Sequence, residues 1–258
     1  MVRWAPNFGF EKDGVFHSWR DVALRRPLEA ELGVPVRMGN DANCAAFGEY
    51  VYGSGRGTAN CLVLLTLGTG VGGGVVLGPR SVGGKTTGPV LMLGGNLGGA
   101  ELGHACIAAG GLDCNAGSYG ALEAYCQRDS IVRRAQHRLQ RSRSSMVRDM
   151  VDGDLAEVTP WHLSQAAEKG DALAIEVWAE VGRALGAGIG TFINIFAPDV
   201  LAVGGQIAKA GKWLLDPARQ EAENVAVPSL FQDCRIVLAE RIDDAGVLGS
   251  AALAWEVL

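Results

Sequence analysis

The residues with the clearest chemical potential are carboxylates and an imidazole that stand beside glycines. Asp41 follows Asn40 at the end of a short predicted strand and at the start of a predicted helix. Ligands bind at such strand ends in α/β folds, and a carboxylate there can accept the proton of a substrate hydroxyl as a general base. The alternative is that either residue only caps the helix.

A second group of polar residues is typical of a site that binds a polyol. Glu101 and His104 stand in one short glycine-containing segment, and Glu123 follows nineteen residues after His104, at the start of a predicted helix. Carboxylates accept hydrogen bonds from neighbouring hydroxyls, and a neutral imidazole can accept or donate one. A lone histidine is also common without any such role, as a satisfied surface or core residue.

Two glycine-rich segments follow predicted buried strands and could contact a phosphorylated ligand. The first leaves Cys61–Leu67 through Gly68, Thr69 and Gly70. Backbone N–H groups in such a turn can surround a phosphate, and a threonine adds a hydroxyl donor. A strand rather than a helix follows, so the segment differs from the dinucleotide-binding fingerprint, and it can also be a plain hairpin.

The second glycine pair, Gly204 and Gly205, follows the predicted strand 200–203. Two glycines that leave a strand allow a flat ring such as adenine to approach the backbone. Alone, this pair identifies no ligand.

The elements that must position these residues alternate between strands and helices, which indicates an α/β fold. The predicted strands are 34–38, 61–67, 75–77, 200–203 and 235–238. The predicted helices are 19–32, 43–52, 122–139, one starting at Thr159, 171–196, 211–224 and 246–255. We expect residues 1–16 to be irregular, 68–74 to form a turn and 80–100 to form a glycine-rich loop.

Composition excludes several classes of protein. The chain has 258 residues, a formal net charge of −5, 37 glycines and 6 cysteines. The negative charge argues against a nucleic-acid surface, and the basic stretch 128–148 is interpreted as a solvated helix face. The uncharged stretch 57–79 contains too many glycines for a membrane span. We expect a cytoplasmic protein with reduced thiols and no membrane partner.

Taken in order, these motifs resemble the ROK family of sugar kinases and sugar-responsive repressors. The resemblance is carried by Asn-Asp-Ala-Asn at 40–43, Leu-Gly-Thr-Gly-Val-Gly-Gly-Gly at 67–74, Glu-Leu-Gly-His at 101–104 and Leu-Glu-Ala-Tyr at 122–125. It implies an actin-like ATPase (ribonuclease H-like) two-domain fold that lacks the N-terminal part of the small domain. The expected parts are a small-domain remnant at 1–56, a large domain at 57–246, and a C-terminal helix at 247–258 that packs on the remnant.

The resemblance also assigns roles to individual residues. It implies that Asp41 is the catalytic base for the 6-hydroxyl of a hexose, with ATP and Mg²⁺ as the donor side. The sugar-binding residues that it implies are Asn7, Asn40, Glu101, His104 and Glu123. The ATP- and phosphate-binding residues that it implies are Thr66, Gly68, Thr69, Gly70, Gly204 and Gly205.

Three departures from the family pattern qualify these expectations. The chain begins downstream of the family's first phosphate loop, Asp-x-Gly-Gly-Thr, and the segment 80–93 is longer than usual. Family members often hold a structural zinc through one histidine and three cysteines. Here His104 and Cys114 keep their places as remnant ligands, but the other positions are Ala116 and Ala121. We therefore expect no structural zinc, and a site rearranged around Cys106 or Cys126 is the alternative.

The resemblance favours a glucokinase-like kinase that acts on glucose or an N-acetylhexosamine and that forms a homo-oligomer. The alternative is a catalytically impaired fragment, or a sugar-binding regulatory protein, without the first phosphate loop. The sequence does not separate ATP from polyphosphate as the donor.

Overall fold

The computed structural model describes residues 2–95, 98–114, 117–141 and 144–255. Its strands are β1 (Val2–Lys12), β2 (Val15–Val22), β3 (Cys61–Leu67), β4 (Val71–Leu77), β5 (Arg80–Val82), β6 (Lys85–Thr87), β7 (Val90–Leu91), β8 (Val200–Gly204) and β9 (Arg235–Leu238). Its α-helices are α1 (Arg25–Leu32), α2 (Asp41–Tyr52), α3 (Leu122–Cys126), α4 (Arg128–Arg141), α5 (Met146–Met150), α6 (Pro160–Glu168), α7 (Ala172–Phe196), α8 (Lys212–Val225), α9 (Pro228–Gln232) and α10 (Ala245–Trp255). Short 3₁₀ helices span Leu102–His104, Leu155–Glu157 and Gln206–Ala210.

A five-stranded mixed sheet organises these elements in the order β7-β4-β3-β8-β9. The strands β3, β8 and β9 are parallel, whereas β4 runs antiparallel to both β3 and β7. The parallel strands therefore end at one edge of the sheet, which is where α/β folds bind ligands.

The sheet is buried on both faces, which explains the uninterrupted apolar sequence of β3. Val63 and Leu65 point into the large core on the α7 side. Leu62 and Leu64, one residue out of phase, point into a smaller core on the α2 side. The result is a helix–sheet–helix sandwich.

The α7 side contains the larger of the two cores. Asp171 caps α7 by accepting a hydrogen bond from the N–H of Ala174 at 2.9 Å, and Trp178 is fully buried in the core below it. Helix α8 packs against α7 so closely that a side chain at Gly186 would overlap the carbonyl oxygen of Ala218.

The α2 side combines the buried aromatic rings of Phe47 and Tyr50 with one buried carboxylate. A side chain at Gly249 of α10 would overlap the carbonyl oxygen of Cys44 in α2. Glu49 of α2 is fully buried and accepts hydrogen bonds from the N–H and hydroxyl of Ser54, both at 2.8 Å. It also accepts from the backbone N–H groups of Glu240 and Arg241, just before α10. Glu49 thus ties the two helices together. The domain boundary at residues 56 and 57 stays a prediction.

The N-terminal segment corrects three predictions. The segment 1–16 is predicted to be irregular, but its described residues, 2–16, form most of the β1–β2 hairpin, a separate two-stranded sheet. The predicted helix 19–32 is wrong over its first residues, which belong to β2, and only Arg25–Leu32 is helical. Residues 34–38, predicted as a strand, have no strand partner in the described chain. In each case strand pairing or its absence decides the structure, and local spacing does not contain that information.

Three further predictions are wrong, two in glycine-rich segments and one where a predicted helix is interrupted. Gly72 to Gly74 lie in β4 and not in the turn, because they pair with Leu64 to Thr66 of β3. Part of the predicted loop 80–100 is the hairpin β5–β6. The predicted helix 122–139 is two helices, α3 and α4, that meet at Gln127.

The edge strand β9 is covered by a side chain of α8. The guanidinium of Arg219 donates two hydrogen bonds to the carbonyl oxygen of Ile236, at 3.2 and 2.9 Å. Among the described residues, no helix has the length and apolar character needed to cross a membrane.

Candidate functional site

The candidate site is built around the first residues of β4. On one side, the side-chain oxygen of Asn40 caps α2 by accepting hydrogen bonds from the N–H groups of Ala42 at 3.0 Å and Asn43 at 3.2 Å. Asp41 is the first residue of α2, is exposed, and also accepts from the N–H of Ala42 at 2.9 Å. The helix dipole favours a negative charge at this position. Asn40 is therefore the cap, and the Asp41 carboxylate remains open to solvent.

Close packing brings the start of α2 onto β4. A Cβ at Gly72 would lie 2.8 Å from the Cβ of Ala42 and 2.7 Å from the hydroxyl oxygen of Thr66. Only glycine allows this approach. Thr66 and Ala42, the residue that follows Asp41, thus neighbour the same residue of β4.

Glu123 is fixed to the beginning of β4 by a hydrogen bond. Its half-buried carboxylate accepts from the N–H of Val71 at 2.9 Å, and a Cβ at Gly70 would lie 2.6 Å from the same oxygen. One carboxylate oxygen is therefore engaged, while the other has lone pairs for a ligand hydroxyl.

Glu101 and His104 reach the same place through the 3₁₀ helix Leu102–His104. A side chain at Gly103 would overlap the carbonyl oxygen of Val71, so this helix lies directly on β4. Glu101 and His104 are both exposed. The Nδ1 atom of His104 lies 3.9 Å from the Sγ atom of Cys114. Asp41, Glu101, His104 and Glu123 are thus all attached to elements that contact residues 70–72.

The two glycine turns meet at the carboxyl end of β3. The N–H of Gly68 donates to the carbonyl of Gly70 at 2.9 Å, and Thr69 is exposed. Gly205 has a φ of 83°, and a side chain there would overlap the backbone of Leu67. This edge, where the parallel strands end, lies beside the group of carboxylates.

Comparison with known proteins identifies the family of the chain. Residues 15–257 match the ROK family. The chain belongs to the ROK family. A glucokinase from Thermotoga maritima is 34% identical over 256 residues, covering 99% of this chain and 74% of the relative.

Two solved structures show the fold of this ROK protein. A ROK glucokinase from Streptomyces griseus, in complex with glucose and AMPPNP, matches with a TM-score of 0.77 at 32% identity over 92% of this chain and 74% of its own. A ROK transcriptional regulator, a homologue of the Escherichia coli Mlc protein, matches with a TM-score of 0.78 at 27% identity over 93% and 56%. The fold is the actin-like ATPase fold of this family.

The residues of the ROK protein fit a nucleotide at the glycine turns. A Cβ built at Gly68 meets no atom within 4 Å, so the space outside the turn is open, and the Thr69 hydroxyl is exposed to it. Magnesium is held mainly by water and by the phosphates that it accompanies, with only one or two carboxylates. Such a cation would neutralise phosphate charge there.

The family's structural zinc does not fit these residues. His104, Cys114 and Glu123 offer ligand atoms that lie within 4.8 Å of one another, but a closed tetrahedral site needs four ligands, and Glu123 already binds Val71. Cys126 is excluded from a rearranged site because its thiol is fully buried and donates to the carbonyl of Val181 at 3.8 Å. Burial raises the pKa of Cys126 to about 12. Cys106 is exposed and lies outside this group of three.

Two positions singled out from the sequence cannot be compared with the group, because the structure does not describe their side chains. Asn7 belongs to β1, in the separate two-stranded sheet, and its side chain lies outside the described residues. The alanine at 116, which replaces a zinc ligand, also lies outside the described residues.

The sequence analysis missed Arg128, which contacts the first glycine turn. The N–H of Arg128 donates to the carbonyl oxygen of Gly68 at 3.0 Å. The sequence offered one indication of this contact. Arg128 follows only five residues after Glu123, which contacts the other end of the turn.

Proposed function

We propose that this ROK protein is a glucokinase-like sugar kinase that transfers a phosphoryl group from ATP to the 6-hydroxyl of a hexose. The substrate class is glucose or an N-acetylhexosamine. The observation that carries the proposal is that four polar residues lie in or beside elements that contact the start of β4: Asp41, Glu101, His104 and Glu123. The similarity to a glucokinase that binds glucose and AMPPNP supports it.

In this proposal Asp41 accepts the proton of the 6-hydroxyl. Its carboxylate is exposed and stands at a helix start, held by the N–H of Ala42. A general base contributes typically about 10²–10⁴-fold to a rate. The loss of the proton makes the sugar oxygen a better nucleophile as the new P–O bond forms.

The remaining residues hold the two substrates in line. Asn40, Glu101, His104 and Glu123 bind ring hydroxyls as acceptors or donors, and Asn7 is a further predicted contact. Thr66, Thr69 and the glycines at 68, 70, 204 and 205 border the phosphate and adenosine side. ATP bound there, with Mg²⁺, supplies the phosphoryl group and the charge neutralisation that phosphoryl transfer requires.

The decisive experiment replaces Asp41 with asparagine. Asparagine keeps the shape and the oxygen that accepts from Ala42 but cannot take a proton. We expect the Asp41→Asn variant to lose about 10³-fold or more in kcat in a glucose and ATP assay, while glucose still binds. The control is Asp216→Asn, a surface carboxylate on α8 that pairs with Arg219.

Turnover by Asp41→Asn at the rate of the Asp216→Asn control would remove Asp41 as the base. If Glu123→Gln lost glucose binding while Asp41→Asn kept normal turnover, Glu123 would remain a sugar-binding residue but Asp41 would not be the base. The homo-oligomer and the donor, ATP or polyphosphate, stay predictions.

A sugar-binding regulatory protein is the second candidate, because a ROK transcriptional regulator matches the fold as closely as the glucokinase does. A regulator binds the sugar with the same carboxylates and has no need for a base. Binding of glucose with no phosphorylated product, at any ATP concentration, would favour this candidate over the kinase.

A further inference from the structure

The residues assigned to the phosphate side of the site include no positive side chain. Its polar members are two threonine hydroxyls and the backbone of four glycines. A nucleoside triphosphate carries several negative charges, and phosphoryl transfer depends on their stabilisation. A cationic side chain close to the glycine turn would therefore strengthen donor binding.

The junction of α3 and α4 holds the first glycine turn at both ends. Glu123, in α3, accepts from the N–H of Val71 at 2.9 Å. Arg128, the first residue of α4, donates its N–H to the carbonyl of Gly68 at 3.0 Å. The turn is thus framed by the carboxylate of Glu123 at one end and by the backbone of Arg128 at the other.

The side chain of Arg128 is largely available to a ligand. It is 59% exposed, and its ion pair with Asp129 is long, at 3.8 Å, with Asp129 itself 69% exposed. Exposed pairs of this kind contribute little. By contrast, Lys209, near the second glycine pair, is engaged at 2.9 Å by Asp243.

We propose that the guanidinium of Arg128 binds the phosphate groups of the phosphoryl donor at the Gly68–Gly70 turn. This inference rests on the proposed kinase function and adds a donor-binding residue to it. A guanidinium suits the role because its planar N–H groups match two phosphate oxygens at once. The backbone bond to Gly68 fixes the starting point of the side chain and does not depend on the residue type.

The test measures dissociation constants by calorimetry for AMPPNP with Mg²⁺, for inorganic tripolyphosphate and for glucose. We expect Arg128→Gln to weaken both phosphate ligands by about fivefold, the effect of one exposed charged contact, and to leave glucose unchanged. Arg128→Lys should recover part of the loss. Asp129→Asn, which removes the competing carboxylate, should tighten both phosphate ligands.

The matched control is Arg141→Gln, at the far end of the same helix and about 20 Å away at 1.5 Å per residue. Equal weakening by Arg128→Gln and Arg141→Gln would overturn the inference, because it would reflect net charge alone. Unchanged phosphate affinity in Arg128→Gln would also overturn it. A fall for AMPPNP without a fall for tripolyphosphate would assign Arg128 to the nucleoside and contradict the phosphate contact.

The same titrations separate this inference from the proposed function. Failure of the unaltered protein to bind AMPPNP, with glucose binding retained, would remove the ATP donor together with the Arg128 contact. Binding of AMPPNP with no dependence on Arg128 would remove only the contact. Unfolding midpoints of all variants establish that each one is folded.

Discussion

The helix pairs α2–α10 and α7–α8 lie on opposite faces of the central sheet. Both pairs pack closely through a glycine, but they have different roles. In both, a glycine (Gly249 in one pair, Gly186 in the other) lets two helix backbones approach. Behind α7 lies a large apolar core that includes Trp178. Behind α2 lies a smaller core that includes Phe47 and Tyr50, beside the buried carboxylate of Glu49. Helix α2 begins with Asp41, whereas neither α7 nor α8 carries a residue of the candidate site.

The largest expected effect comes from adding a methyl group at Gly249. The new Cβ of Gly249→Ala would overlap the carbonyl of Cys44, so α2 and α10 must separate. We expect a loss of about 3 kcal/mol in the free energy of unfolding. Because α2 carries Asp41, we also expect a fall of about 10²-fold in kcat, the scale of a displacement near 1 Å. Urea unfolding and steady-state kinetics measure the two effects.

The corresponding change on the other face is Gly186→Ala, which would overlap the carbonyl of Ala218. It should destabilise the protein to a similar degree and leave the turnover of the folded protein unchanged. If the two variants lost turnover equally, the division between a helix pair that mainly stabilises the protein and a helix pair that positions Asp41 would be wrong.

A smaller effect is expected from replacing the buried acceptor on the α2 face. Glu49→Gln keeps the shape but presents an NH₂ group to donors that the carboxylate now satisfies. We expect about 1–3 kcal/mol of destabilisation, measured by urea unfolding. Glu240→Gln, in an exposed pair with Arg56, should cost less than about 1 kcal/mol. Equal costs would mean that the buried network does not hold α2.

The smallest expected effect is a pH dependence of stability that comes from the buried thiol of Cys126, on the α7 face. Burial raises the pKa of the Cys126 thiol to about 12, whereas an unfolded thiol ionises near about 8.5. The stabilisation from this group is complete below about pH 8.5 and is lost as the pH rises towards 12, because only the unfolded state releases the proton. At pH 9.5 the loss is about 1.4 kcal/mol.

The measurement compares urea unfolding at pH 7.5 and 9.5 for the unaltered protein and Cys126→Ala. The variant should show the smaller loss of stability on going to pH 9.5. Replacement of the exposed Cys106 with alanine should leave the pH dependence as it is. If Cys126→Ala lost as much stability between pH 7.5 and 9.5 as the unaltered protein, the thiol of Cys126 would not contribute to the pH dependence.

The sequence predicted the elements whose environment is uniform along their length. The strand at 61–67 is apolar throughout because both of its faces are buried. The helix from 172 to 196 has its cap, Asp171, and its apolar face in one local pattern. The carboxylates and glycines of the site were found as motifs, and the resemblance to the ROK family, confirmed by comparison, joined them.

Features that depend on distant residues were not predicted. The break between α3 and α4 coincides with the hydrogen bond from Arg128 to Gly68, which is 60 residues away. The buried role of Glu49 depends on donors near residue 240. The β1–β2 hairpin was missed because pairing between Val2 and Val22 overrides local spacing. In each case the information lies in a tertiary contact.

The contact of Arg219 with β9 affects whether a strand from another molecule can extend the sheet. An edge strand with free carbonyl groups can accept a strand from another chain, which leads to sheet extension and aggregation. Here two N–H groups of Arg219 already occupy the carbonyl of Ile236, and at the opposite edge β7 has only two residues. Both edge strands are thus poor templates for another strand, which disfavours fibrous assembly by sheet extension.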